Sequence, residues 1–108
     1  MRILFMGTPD FAVETLETLI HSEHEVIGVV TQPDKMVGRK KELQASPVKQ
    51  CAIKHNIKVF QPIKIRQEYQ DIVNLHPDLI VTAAYGQIVG MKLLNCPKHR
   101  SINVHASL

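Results

Sequence analysis

Residues 1–30 read MRILFMGTPDFAVETLETLIHSEHEVIGVV, and this stretch decides the fold. The apolar run at residues 2–6 predicts a short buried strand, and Thr8 and Pro9 then supply the N-cap and the first residue of a helix. The apolar residues of that helix recur at helical spacing, at Ala12, Val13, Leu16, Leu19 and Ile20. The β-branched run at residues 26–30 predicts a second strand. A strand, a helix and a strand in this order are typical of a parallel α/β sheet.

The rest of the chain continues this alternation. Three further strands are expected, at residues 57–60, 79–84 and 101–104. Three further helices are expected: one that starts at Ser46-Pro47, one that ends before Pro77 and one at residues 91–94. Residues 32–45 lose periodicity and gain charge, which predicts a long loop. The predicted fold class is α/β, with a doubly wound, Rossmann-like parallel sheet of about five strands.

The first strand-to-helix turn does not fit a dinucleotide site. Such a site needs three glycines so that the backbone can approach the pyrophosphate, and this turn has only Gly7. Pro9 also lacks one of the amides that would bind the phosphates. Asp34, which follows the second strand, is therefore interpreted as a turn residue and not as a ribose ligand.

Length and composition suit one domain, since 108 residues with 44% hydrophobic content can form an ordinary core. No apolar run approaches the roughly 18 residues of a membrane span, and the apolar start is too short for a signal peptide. We therefore expect a cytoplasmic protein that does not associate with membranes. Cys51 and Cys96 form no CxxC motif, so we expect both to be buried and reduced, with no disulfide and no metal site.

Charge is distributed unevenly along the chain. Residues 1–34 carry a net charge of −5, residues 35–66 carry +8, and residues 67–108 are neutral. Four of the bases fall within seven residues of the predicted loop, at Lys35, Arg39, Lys40 and Lys41. One interpretation is a solvated surface loop; the other is contact with the phosphates of a nucleic acid. Because the loop has no aromatic residues, it would position or wedge a nucleic acid and would not stack on single-stranded bases.

The last predicted strand ends in Asn103-Val104-His105. Alternate residues of a strand share a face, so Asn103 and His105 are expected to project together, while Val104 turns into the core. Histidine can relay a proton near pH 7, and an asparagine amide can donate a hydrogen bond to a developing oxyanion. This pair suits acyl transfer to an amine, although a surface polar pair is the other interpretation.

Six motifs lie along the chain: GTPDFA at 7–12, TQPD at 31–34, GR at 38–39, SPVK at 46–49, AAYGQI at 83–88 and INVHASL at 102–108. In order and spacing they closely resemble the methionyl-tRNA formyltransferase family. The resemblance covers about the first third of a usual member. It implies that residues 1–108 are the N-terminal part of a truncated formyltransferase catalytic domain, without its C-terminal part and without the tRNA-binding C-terminal domain.

The resemblance also implies a reaction, in which a formyl group moves from 10-formyltetrahydrofolate to the amino group of methionine on initiator tRNA. It implies a monomer that needs no metal, with Asn103 and His105 as catalytic residues and a third catalytic residue, an Asp, further downstream. It implies folate contacts at Tyr85, Gly86, Gln87, Ile88, Ser107 and Leu108. It implies tRNA contacts at Lys35, Arg39, Lys40 and Lys41, and a contact of Phe11 with the methionyl side chain. Where the family usually has Gly and two Lys after Arg39, this chain has Lys40, Lys41 and Glu42.

Two other interpretations stay open at this point. One is a formyltransferase that acts on a nucleotide-sugar or on a purine precursor, which has less need of the basic loop. The other is a non-catalytic α/β fragment, and we expect residues 1–108 alone to lack formyl-transfer activity.

Overall fold

The computed structural model describes residues 1–104. Within that range the strands are β1 (Arg2–Gly7), β2 (Glu25–Val30), β3 (Lys35–Val37), β4 (Glu42–Gln44), β5 (Val59–Phe60), β6 (Leu79–Ala83) and β7 (Ser101–Asn103). The helices are α1 (Asp10–Ile20), α2 (Pro47–Lys54), α3 (Gln70–Val73) and α4 (Met91–Leu94). No helix in this part of the chain has the length and apolarity needed to cross a membrane.

Five of the strands form one parallel sheet in the order β5-β2-β1-β6-β7. The chain starts in the centre with β1, moves to one side through β2 and β5, and returns to the other side for β6 and β7. The strand order thus reverses between β1 and β6, which is where open α/β sheets bind their ligands. The predicted five-stranded, Rossmann-like sheet is confirmed.

The central strand is buried on both faces, as its continuous apolar run predicts. Ile3 and Phe5 pack on the side of α1 and α2, whereas Leu4 and Met6 pack on the side of α3 and α4. All four side chains are 1% exposed or less. Because successive residues of a strand point to opposite faces, this short run supplies the centre of both cores and makes the sheet doubly wound.

The predicted start of α2 is confirmed. Pro47 is its first residue, and the Ser46 hydroxyl accepts a hydrogen bond from the Lys49 amide at 3.0 Å. The same hydroxyl lies 2.6 Å from that of Thr31, so the cap also joins α2 to the end of β2.

Ser46→Ala is expected to lower the free energy of unfolding by about 1 to 3 kcal/mol, because it leaves a helix amide without its cap and the buried Thr31 hydroxyl without its hydrogen bond to Ser46. Urea unfolding followed by circular dichroism measures the change. Thr18→Ala is the control, since Thr18 is exposed and its hydroxyl only donates back to the Glu14 carbonyl of the same helix, and we expect it to be no more than about 0.5 kcal/mol less stable than wild type. A Ser46 variant as stable as this control would contradict the assignment.

The predicted start of α1 is wrong by one residue. Pro9, with an extended backbone, occupies the N-cap position, and no side chain among residues 1–104 caps the helix. The Thr8 hydroxyl instead donates to the Tyr85 carbonyl at 2.7 Å and accepts from the Gln32 amide at 3.3 Å. Thr8 therefore ties together the segments that follow β1, β2 and β6.

The predicted long loop at residues 32–45 is also corrected, because it contains a two-stranded antiparallel hairpin formed by β3 and β4. Its turn spans residues 38–41, where Gly38 and Lys41 have positive φ angles of 76° and 50°. Both strands are exposed, with Met36 at 63% and Leu43 at 68% exposure. A strand with no buried face has no hydrophobic alternation to reveal it, which is why the sequence pattern missed this hairpin.

Three smaller expectations also differ from the structure. Val104, expected in the core, is 37% exposed, because it follows β7 at the edge of the described sheet. The strand expected at residues 57–60 is only β5, and the strand expected to reach Ala84 ends at Ala83 because Ala84 has a φ of +54°. Both cysteines are free, but only Cys51 is buried, and Cys96 is half-buried.

Candidate functional site

A cleft of about 310 Å³ lies at the carboxyl edge of the sheet, beside the reversal of strand order. The start of α1 and the ends of β6 and β7 contribute its walls. Its lining residues are Phe11, Thr82, Ala84, Tyr85, Gly86, Gln87, Asn103 and Val104. The structure thus brings five of the predicted site residues to one place.

Asn103 is held at this cleft by strand pairing. It is in register with Thr82 of β6, and the next amide, that of Val104, donates to the Thr82 carbonyl at 2.7 Å. The Asn103 side chain is exposed and has no hydrogen-bond partner within residues 1–104. Its amide group is therefore available to a ligand while its backbone is fixed by the sheet. Asn103 also lines a neighbouring cleft of about 430 Å³ with Arg100 and Asn95.

Phe11 forms the apolar wall of the smaller cleft. It is the second residue of α1 and is 52% exposed, which is unusual for a large aromatic side chain beside a filled core. The next residue, Ala12, is fully buried under the sheet, so the helix faces the core with its inner side and presents Phe11 outward. An exposed ring at this position can contact the apolar part of a substrate.

The segment after β6 contributes backbone groups and not the Tyr85 side chain. Tyr85 is 2% exposed and packs in the core with Leu93 and Ile65. Burial, and secondarily the carboxylate of Glu68, raise the pKa of Tyr85 to about 12. The phenol is therefore neutral and remote from solvent. Gly86 follows with a φ of +105°, which a side chain would strain.

The Gln87 side chain is fully used within the protein. Its Oε1 accepts from the Ile65 amide at 2.8 Å, and its Nε2 donates to the Gln32 Oε1 at 2.8 Å and to the Pro62 carbonyl at 3.1 Å. These bonds hold the segment after β6 against the end of β2 and the segment after β5. Ile88 does not line the same cleft, and its side chain is 80% exposed at a separate hollow beside Lys64.

The hairpin carries the predicted basic residues at its tip. Arg39, Lys40 and Lys41 form the exposed turn, and Lys35 is the first residue of β3. A separate cleft of about 260 Å³ lies at the base of the hairpin and has Thr8 and Lys35 in its lining. The hairpin therefore rises from the same carboxyl edge as the Asn103 cleft, and its charges extend into solvent.

Sequence reasoning missed a polar network along this edge. Asp34 is not a simple turn residue: both of its carboxylate oxygens lie 3.0 Å from the Lys49 ammonium, and Oδ1 also accepts from Gln61 Nε2 at 2.8 Å. The Gln61 hydrogen bond, followed by that of Lys49, lowers the pKa of Asp34. No local pattern signals this network, because Lys49 and Gln61 are distant from Asp34 in the sequence.

Three of the predicted residues, His105, Ser107 and Leu108, lie outside the described residues. Within residues 1–104, no cluster of three or more His, Cys, Asp or Glu side chains is arranged to hold a metal ion.

Comparison of the sequence with known proteins identifies the family of this chain. The family model described as formyl transferase matches residues 1–108. The chain belongs to the formyl transferase family. It is 58% identical over 110 residues to the methionyl-tRNA formyltransferase of Bacillus mycoides (strain KBAB4), an alignment that covers 100% of this chain and 35% of that protein. It is 53% identical over 111 residues to the methionyl-tRNA formyltransferase of Sulfurihydrogenibium sp. (strain YO3AOP1), covering 100% of this chain and 36% of that protein.

The resemblance found in the sequence motifs is therefore confirmed at the level of the formyl transferase family. The chain spans about a third of the length of the curated relatives it matches. Within the described part, the family's fold places the Asn103 amide, the Phe11 ring and the backbone after β6 around one cleft.

Proposed function

We propose that the full-length protein carrying this chain transfers a formyl group from 10-formyltetrahydrofolate to the amino group of methionine on initiator tRNA. The observation that carries the proposal is the shared cleft of Asn103 and Phe11, at the carboxyl edge of a formyl transferase family sheet. Relatives named methionyl-tRNA formyltransferase match the whole chain, which supports this choice of formyl acceptor. We propose further that the protein acts as a cytoplasmic monomer.

The chemistry is acyl transfer to an amine. The methionyl nitrogen attacks the formyl carbon, the formyl oxygen gains negative charge, and the bond between carbon and the donor nitrogen then breaks. The Asn103 amide donates a hydrogen bond to that oxygen, which stabilises the charge where it develops. His105 takes the proton that the attacking amine must lose and then gives it to the departing donor nitrogen, so that tetrahydrofolate leaves as the neutral amine. An oxyanion donor and a base are sufficient for this reaction, so we propose no metal.

Backbone groups after β6 suit the formyl donor. The pterin ring of a folate presents alternating hydrogen-bond donors and acceptors, which main-chain amides and carbonyls can match. Gly86 lines the cleft, the Gln32 side chain occupies the space where a Cβ of Gly86 would lie, and the Gln87 side chain holds the segment in place through hydrogen bonds to Ile65 and Gln32. We assign folate contacts to the backbone of residues 85–87, which lines the cleft, and to Ser107 and Leu108.

The acceptor fits the remaining features. Phe11 provides an apolar surface for the methionyl side chain, and Lys35, Arg39, Lys40 and Lys41 provide positive charge for tRNA phosphates. A nucleotide-sugar or a purine precursor carries few phosphates, so it has less need than a tRNA of the cations Lys35, Arg39, Lys40 and Lys41. The proposal is tested by supplying the full-length protein with formyl donor and either initiator methionyl-tRNA or an amino nucleotide-sugar. Transfer to the sugar alone would contradict the proposal.

Replacing Arg39, Lys40 and Lys41 together by alanine is expected to weaken tRNA binding by about tenfold or more. Each lost phosphate contact removes about 0.7 to 0.9 from the slope of log affinity against log salt, so the loss of three contacts should make the slope shallower by roughly 2 to 3. Filter binding or fluorescence anisotropy of the full-length protein across a salt series measures both quantities.

A matched control replaces Lys54, Lys92 and Lys98, three exposed lysines outside the hairpin, by alanine. This control removes the same net charge and is expected to change the slope by less than half as much. A hairpin variant with an unchanged salt slope would rule out phosphate contact at the turn.

A further inference from the structure

The hairpin formed by β3 and β4 has no side chain in the core, so its direction depends on its base. Every residue from Lys35 to Gln44 is exposed. A hairpin of three residues per strand is too small to be stable on its own. The contacts that attach it to the sheet must therefore decide where its charged turn lies.

Two contacts close that base. On one side, the Thr31 and Ser46 hydroxyls lie 2.6 Å apart and join the end of β2 to the start of α2. On the other side, the Asp34 carboxylate, immediately before β3, binds the Lys49 ammonium of α2 through both oxygens at 3.0 Å. Asp34 thus connects the first strand of the hairpin to a helix that is packed on the core.

The Asp34 carboxylate is held from a third direction as well. Gln61, which follows β5, donates from Nε2 to Asp34 Oδ1 at 2.8 Å and to the Gln32 carbonyl at 3.3 Å. Asp34–Lys49 is the single ion pair found within residues 1–104, and its two side chains are only 30% and 20% exposed. Charge-assisted hydrogen bonds from two different elements define the carboxylate's position more narrowly than one surface ion pair would.

We propose that Asp34 is the positioning residue of the hairpin: held by Lys49 and Gln61, it sets the direction in which Arg39, Lys40 and Lys41 meet the tRNA. This inference rests on the proposed function, because it gives the hairpin a tRNA partner. Asp34 touches no substrate and acts through the backbone of β3. Without its carboxylate the hairpin samples many directions, and tRNA must order it upon binding, which lowers affinity.

Asp34→Asn in the full-length protein separates the effect of the hairpin's direction on tRNA binding from the effect of the protein's net charge. The asparagine would turn an NH₂ group toward the Lys49 ammonium, so one of the two hydrogen bonds from Lys49 is lost. The variant makes the protein more positive, which alone would strengthen tRNA binding, yet we expect binding to weaken by about tenfold. The salt slope should stay unchanged, because all the hairpin cations remain. Asp71→Asn, the same charge change at an exposed position on α3, is the control and should bind no more weakly than wild type.

A second pair of variants tests the same role independently, in case Asp34→Asn does not fold. Lys49→Met removes the other partner of Asp34, and Lys54→Met removes a charge from an exposed position on the same helix. We expect Lys49→Met, but not its control Lys54→Met, to speed hydrogen exchange at the β3 and β4 amides. Both variants should keep unfolding midpoints close to that of wild type. Tenfold weaker binding in Asp34→Asn with unchanged hairpin exchange would contradict a positioning role.

Acid supplies a further readout. Lys49 is the charged side chain in contact with Asp34 in the described part of the chain, and Gln61 is neutral. Gln61 and Lys49 lower the pKa of Asp34, so the ionised carboxylate stabilises the base of the hairpin at any pH above the usual carboxyl range. This stabilisation is lost as the pH falls through the lowered pKa. Hairpin amide protection in wild type should therefore drop in acid, and the Asp34→Asn variant should lack this step.

The outcomes distinguish the inference from the function on which it rests. If the triple hairpin variant weakens tRNA binding while Asp34→Asn and Lys49→Met match their controls, the positioning role is wrong and the tRNA interface stands. If the triple hairpin variant binds tRNA as wild type does, the tRNA interface at the hairpin and the positioning role of Asp34 are both wrong.

Discussion

Asn103→Ala in the full-length protein is expected to lower kcat for formyl transfer by about 10²-fold or more. The Asn103 side chain lies at a cleft with its amide unpaired in the described part of the chain, and the backbone around it is fixed by β6. A preorganised donor of this kind stabilises the charge on the formyl oxygen at the moment it develops. Removing it should leave KM for methionyl-tRNA nearly unchanged, because this hydrogen bond strengthens only as the charge on the formyl oxygen develops.

Single-turnover kinetics with saturating donor measure this effect directly. Asn74→Ala is the matched control, since Asn74 is exposed at the end of α3 and, within residues 1–104, its side chain hydrogen-bonds only to Gln70. It should retain wild-type kcat. Turnover of the Asn103 variant within about twofold of this control would show that another group stabilises the oxyanion.

His105→Ala is expected to lower kcat by about 10²- to 10⁴-fold, the usual contribution of a general base. His105 lies outside the described residues, so this expectation rests on its place two residues after Asn103 and on the resemblance of INVHASL to the family motif. The wild-type rate should fall as the pH drops below the range in which a histidine is neutral, and the variant should lose that dependence. Added imidazole should restore part of the activity.

The matched control for this variant is His99→Ala. His99 is exposed before β7, and its backbone amide, which the substitution keeps, donates to the Asp78 carbonyl. The control should keep its pH profile. A His105 variant with near-normal turnover would exclude histidine as the base.

Most of the sheet was predictable, because its signals are local. The apolar run at residues 2–6 and the serine and proline at the start of α2 each depend on a few neighbouring residues. Such features need no knowledge of distant contacts, so the parallel α/β class followed from them.

The errors share a different cause. Thr8 fits an N-cap pattern, but its hydroxyl is taken by the Tyr85 carbonyl, a partner far along the chain. The hairpin at residues 35–44 is held at its base by Asp34 and Lys49 and not by a buried face, so no periodicity marks its strands. In each case a long-range hydrogen bond outweighs the local preference.

The sequence by itself determined the order of the helices and of the five strands of the main sheet, the placement of Asn103 at a strand end and the concentration of positive charge before α2. Only the tertiary structure decided that Phe11 and Asn103 share a cleft, that the Tyr85 side chain is a core residue, and that Asp34 pairs with Lys49. The physical reason is the sheet order. Once β6 pairs with β1 on the side opposite β2, segments distant in the chain meet at one edge, and hydrogen bonds among them fix side chains that no local pattern can place.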